Sequence, residues 1–242
     1  MRGAPLRALI PVAAGLIAAA ALALALQWYA VDPTETRPAA QRPVLLLLTS
    51  LPLVFNEQFS LQGAGSPALT ALETRYRVVP ISVTSRNELA KGRLLLMAHP
   101  LAQPPEDLVA LDDWVRRGGR VLLLADPMLE WPSSRPLGDP LRPPPMFMDI
   151  GLLAHWGLRL DATEKRGPVF RKLGGRDILA ISPGKLSGSC DVAADGLVAH
   201  CRIDRGKATV VADADLLDIA HLDSRASNNL DSVLNELLSL ER

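Results

Sequence analysis

Four polar residues of this 242-residue chain stand where apolar runs stop: His99 before Pro100, Asp126 before Pro127, and Asp213 and Asp215 after Ala208–Val211. If the runs are strands of an open parallel sheet, all four gather at the carboxyl ends of the strands, where such sheets bind ligands. An imidazole among carboxylates can move a proton or contribute to a metal site. The same residue types also close strands by accepting hydrogen bonds from the backbone just beyond them. Both uses stay open on sequence grounds. His99, Asp126, Asp213 and Asp215 therefore form a candidate ligand-binding set, with no catalytic residue, metal or cofactor assigned.

Other chemistries find less support. A nucleophile elbow needs Ser or Cys on a tight, glycine-flanked turn between strand and helix, and the corresponding segment here reads Leu124-Ala125-Asp126-Pro127. Gly118-Gly119 follows a helix instead of opening one, and Gly63-Ala64-Gly65 lacks the spacing and lysine of a phosphate-binding loop. His155 and Trp156 share a short apolar segment and read as a packed pair, while His200 and His221 have no partner at metal-ligand spacing.

The elements that must position the four residues are legible from pattern. Val44–Leu48, Leu94–Met97 and Val121–Leu124 are continuous apolar runs, the signature of strands buried on both faces. A helix opens at Pro104-Pro105 with Glu106 and Asp107 in its first turn and ends at Arg116-Arg117 before two glycines. With its flanking strands it makes a right-handed βαβ unit. A weaker unit runs from Val44 through a helix near residues 67–75 to a strand at 77–83. Met128–Pro145 carries six prolines and is expected to be a long loop, functional or a stiff cover over apolar surface. A short helix is expected over Phe147–Trp156, then less regular strands near 158–160, 169–173 and 178–181. Asp195-Gly196 suggests a two-residue hairpin turn, and counting outward pairs Cys190 with Cys201, close enough for a disulfide. A closing helix, capped by Asn228 or Asn229, places Leu230, Val233, Leu234, Leu237 and Leu238 on one stripe.

Lys plus Arg and Asp plus Glu number 26 each, so the net charge of zero argues against a nucleic-acid partner. From Ala8 to Val31 there is no charged side chain, and roughly 20 apolar residues suffice for a helix to cross a bilayer. Arg2 and Arg7 precede the run, Asp32 and Glu35 follow it, and Trp28-Tyr29 sits where an aromatic belt anchors a span. The expectation is a single-pass protein of the inner (cytoplasmic) membrane: residues 1–31 as cytoplasmic start and transmembrane helix, 32–42 as linker, and 43–242 as an extracytoplasmic, periplasmic α/β domain. A cleaved signal is the competing reading, since Ala21, Ala23 and Ala25 offer cleavage sites.

The segments RLLLMAHP (93–100), PPEDLVALDDWVRRGGRVLLLADP (104–127) and GKATVVADADLLD (206–218), with the asparagine-led helix from Asn228, resemble a known domain. It is that of auxiliary components of ABC transporters of the gliding-motility type, a DUF4350-like domain related to the class I glutamine amidotransferase-like fold. The resemblance spans roughly Pro43 to Leu240. It implies a mostly parallel flavodoxin-like or amidotransferase-like sheet with one antiparallel β-hairpin. It also implies a noncatalytic, membrane-anchored accessory or binding subunit working beside ABC permease and ATPase subunits. The alternative is a membrane-anchored hydrolase or a solute-sensing domain that uses the strand ends.

Overall fold

The computed structural model describes residues 35–55, 65–163, 165–222 and 224–242. The expected span at residues 8–31, and with it the question of cleavage, lies outside them. Among the described residues no helix is long and apolar enough to cross a membrane. The compact unit runs from Thr36 to Arg242. Residues 36–42, part of the expected linker, join it: Arg37 pairs with Glu241 at 2.9 Å and lies over the Tyr76 ring.

Eleven strands and five α-helices make up the described part. In chain order they are β1 (Val44–Thr49), α1 (Pro67–Glu73), β2 (Arg77–Pro80), α2 (Arg86–Leu89), β3 (Leu94–Ala98), α3 (Pro105–Arg116), β4 (Arg120–Leu124) and α4 (Leu152–His155). There follow β5 (Leu158–Asp161), β6 (Pro168–Leu173), β7 (Arg176–Ile181), β8 (Lys185–Gly188), β9 (Asp191–Val192), β10 (Val198–Ile203), β11 (Gly206–Val211) and α5 (Asn229–Glu241).

The central sheet has the order β2-β1-β3-β4-β11-β10-β9. Its first five members are parallel, and β10 and β9 add an antiparallel edge. The parallel part follows the 2-1-3-4-5 order of doubly wound sheets, whose direction of winding reverses between β1 and β3. The continuous apolar runs are explained by layers on both faces. Leu45, Leu47, Leu94, Leu96, Leu122 and Leu124 pack with α1 and α5, whereas Leu46, Leu48, Leu95, Met97, Val121 and Leu123 pack with α3 and α4.

Helix α3 begins on Pro105 and ends in a Schellman arrangement, with the Gly119 amide bonding to Trp114 O and the Gly118 amide to Val115 O. Gly118 has φ of 108°, which glycine adopts without a Cβ clash. Where β11 begins, a Cβ on Gly206 would run into the Val115 carbonyl, so glycine allows that strand to lie against the helix end.

Several expectations are adjusted. The strand expected at 77–83 stops at Pro80, and the chain enters the short helix α2. The helix expected over 147–156 is one turn, Leu152–His155. Strands near 158, 169 and 178 leave the main sheet and form two small antiparallel pairs, β5 with β8 and β6 with β7. Neither Asn228 nor Asn229 caps α5 with its side chain. Asn229 instead accepts from Leu179 N and donates to Leu179 O and Leu216 O, occupying the edge of β7 as a strand partner would. His155 and Trp156 pack as a pair on α3, both bonding to Asp112.

The Cys190–Cys201 disulfide is present, with Cα atoms 4.8 Å apart. The pairing follows the register expected, His200 facing Asp191 and Ala199 facing Val192. The turn is one step different: Gly196 N bonds to Ala193 O, and Gly196, at φ 73°, closes a four-residue turn beginning at Ala193. The loop remains symmetric about Asp195 and Gly196, so the register is unchanged.

Candidate functional site at the carboxyl ends of the strands

Asp126, Asp213 and Asp215 converge where β4 and β11 end, and all three are buried. Parallel pairing of the two strands brings their exits side by side, so residues 88 apart in sequence meet: Ala214 N donates to Asp126 Oδ2 at 2.9 Å. Asp126 Oδ1 accepts from Met128 N at 2.8 Å, an Asx turn that directs the chain away from β4. Asp213 accepts from Leu216 N at 2.9 Å and from Ile181 N at 2.8 Å, tying the first turn after β11 to the end of β7. Asp215 Oδ2 accepts from Glu130 N at 2.8 Å.

Burial raises the affinity of all three carboxyl groups for protons, and mutual repulsion adds to it. Asp126 is raised to about 6, chiefly by desolvation, against the lowering effect of the amides it accepts from. Asp215 reaches about 8 through desolvation and then the charge of Asp126. Asp213 is raised well above the ordinary carboxylate range by burial and then by Asp126 and Asp215. At neutral pH Asp215, at about 8, therefore keeps its proton, whereas Asp126, at about 6, is largely ionised.

His99 stands apart from the three acids. It ends β3 with φ of 47°, and its imidazole Nε2 is 2.9 Å from Pro144 O. Nε2 therefore carries the proton and donates to that carbonyl, and desolvation lowers the proton affinity of the ring against the raising effect of this bond. No hydrogen bond in the structure links it to Asp126, Asp213 or Asp215. The structure thus brings together three of the four residues singled out from sequence and leaves the fourth at the end of β3, bonded to the loop that covers them.

That cover is the proline-rich segment. Between β4 and α4 the chain has no helix or strand. Leu129 and Trp131 pack against the core layer under α1 and α5, and Phe147 packs on the opposite layer. Its backbone is fixed at both ends, by Phe147 N to Asp126 O at 2.6 Å and by Leu129 N to Pro145 O at 3.0 Å. Two residues that sequence reasoning passed over complete the fastening: Ser182, at φ 46°, donates to Glu130 Oε1 at 2.6 Å and accepts from Gly167 N at 2.8 Å. Nothing in local sequence marks Ser182, because its partners come from two other segments.

The acids are therefore occupied in holding backbone amides. Among the described residues no group of three or more His, Cys, Asp or Glu is disposed to hold a metal ion. The part of the edge that is not filled lies at the other side of the switch point. A cavity of about 370 Å³ opens beyond β1 and β2, lined among others by Thr49, Ser50, Leu51, Ile81, Arg135 and Leu141. Thr49 Oγ1 donates to Ala98 O at 2.8 Å and Ser50 Oγ to His99 O, so the hydroxyls lace the end of β1 to that of β3.

A doubly wound α/β domain whose strand-end acids are directed at its own backbone is the class of protein that these features define. The chain belongs to the family described as ABC-type uncharacterized transport system, whose model matches residues 42–165. The matched part runs from the start of β1 past β5 and includes His99, Asp126 and the proline-rich cover. No curated protein matches the chain. Among solved structures it is similar to the exo-beta-1,4-mannosidase Op5Man5 from Opitutaceae bacterium strain TAV5, at TM-score 0.50 and 11% identity over 82% of this chain and 36% of that one. It is also similar to the mmIFT52 N-terminal domain, at TM-score 0.50 and 14% identity over 80% of this chain and 96% of that one. The chain thus spans just over a third of the mannosidase. At such identities the likeness shows the fold alone.

Proposed function

We propose that this protein is a noncatalytic accessory subunit of an ABC-type transport system, held at the inner membrane by residues 8–31. Its domain, residues 43–242, faces the extracytoplasmic side, in a complex whose other members are permease and ATPase subunits. The family match over residues 42–165 carries this reading. The strand ends agree with it, because Asp126 and Asp213 each spend both carboxylate oxygens on backbone amides instead of presenting them to a substrate. The disulfide supports the side of the membrane, since such bonds persist in oxidising compartments. The parallel order also fits a flavodoxin-like, amidotransferase-like sheet used for binding.

Co-purification from gently solubilised membranes tests the assignment. Permease or ATPase subunits should accompany the protein, and its recovery as a lone monomer in several mild detergents would refute it. Fractionation with intact-mass measurement tests the anchor separately. A mature chain in the membrane fraction that retains residues 1–31 is expected, whereas their loss would remove the anchor and leave the exported domain.

A further inference from the structure

The cavity beyond β1 and β2 lies beside the point where the winding of the sheet reverses, the place in open α/β sheets where ligands bind. Its volume of about 370 Å³ is within the range of small-molecule sites, roughly 300–1,000 Å³. Leu51, Ile81 and Leu141 give it an apolar wall. Thr49 and Ser50, the hydroxyl residues of the lining, already donate to the end of β3.

Arg135 is the one charged residue in the described lining. It comes from the proline-rich cover, which carries it to the cavity from beyond β4. Among the described residues its acid partner is Asp139, with Nη1 to Oδ2 at 3.5 Å, longer than the roughly 2.7–2.9 Å of a well-made guanidinium–carboxylate bond. Its Nε is buried and meets no acceptor among the described residues. A partly exposed guanidinium whose acid partner stands at 3.5 Å, in the lining of a largely apolar cavity, is suited through its terminal nitrogens to an oxygen anion that carries a hydrocarbon body.

We propose that this cavity binds a small carboxylic acid with an apolar or aromatic body, its carboxylate on Arg135 and its body against Leu51, Ile81 and Leu141. The site is distinct from the acid cluster at β4 and β11, and it does not depend on the transport assignment. Hydrocinnamate and its neutral isostere hydrocinnamyl alcohol are the probes, titrated into the full-length protein and followed by ligand-detected NMR. The acid should bind saturably and at least about tenfold more tightly than the alcohol, the difference a charge-assisted bond supplies. Arg135→Met should reduce the acid to the level of the alcohol while leaving the alcohol unchanged, and Arg135→Gln should do the same if the methionine variant fails to fold. Leu141→Trp, at an exposed rim position, should weaken both probes. Equal binding of acid and alcohol, no saturable binding of the acid, an acid preference that survives loss of Arg135, or indifference of both probes to Leu141→Trp would each overturn the proposal.

Discussion

The two halves of the strand-end edge use the same geometry in opposite ways. At β4 and β11 the carboxyl groups are buried and bonded to amides from three segments, so the chain supplies its own occupant. At β1 and β2 the polar side chains only tie adjacent strands together, and a cavity remains. Acidic residues at strand ends are thus no guide to an open site. The amides that reach them decide whether they serve structure or ligand.

The largest test of this contrast is Asp213→Ala, which strands the amides of Ile181 and Leu216 in the core. A loss of about 3–4 kcal/mol is expected in urea denaturation. Asp213→Asn should cost less, because it keeps an acceptor for one of the two amides. If alanine costs under about 1 kcal/mol, the acid is not structural and the contrast fails.

Next in size is a pH effect. Asp126 and Asp215 bind protons more tightly folded, at about 6 and about 8, than unfolded, near 3.9. Their contribution is complete below about pH 4 and is lost as pH rises through the folded values. Urea midpoints should therefore fall between about pH 4 and pH 8, with Asp126 accounting for roughly 2–3 kcal/mol between about pH 4 and pH 6. Asp215→Asn should flatten the part of the decline between about pH 6 and pH 8, and an unchanged slope would contradict the assignment.

Reduction of Cys190–Cys201 acts at the far edge of the sheet and closes a short loop, with a separation of 11 residues. About 2–3 kcal/mol should be lost on adding dithiothreitol. Proteolysis of the 128–145 cover should not change, because the disulfide does not hold it. At the cavity, Thr49→Val removes the bonds to Ala98 O and from Leu51 N, costing about 1 kcal/mol. The smallest effect is expected for Leu141→Ser, within about 0.5 kcal/mol in thermal unfolding, since this side chain lies on the exposed rim. A large loss there would show that the cavity wall belongs to the core.

Much of the scaffold could be read without coordinates. Leu45–Leu48, Leu94–Met97 and Val121–Leu124 are apolar without interruption because both faces are covered, and the hairpin register followed from symmetry about Asp195 and Gly196 although the turn begins at Ala193. Asn229 misled, because an asparagine before an amphipathic helix has the same local appearance whether it caps that helix or reaches a strand 50 residues away. Arg135 carried no signal at all within its proline-rich surroundings.

By itself the sequence determined the periodicities, hence the buried parallel strands, the bounds of the helix Pro105–Arg116 and the pairing of the two cysteines, because these depend on neighbours along the chain. Only the tertiary structure decided what Asp126, Asp213 and Asp215 do. Their partners arrive from segments up to 88 residues away, and a carboxylate acquires its role from the donors that meet it once water has been excluded.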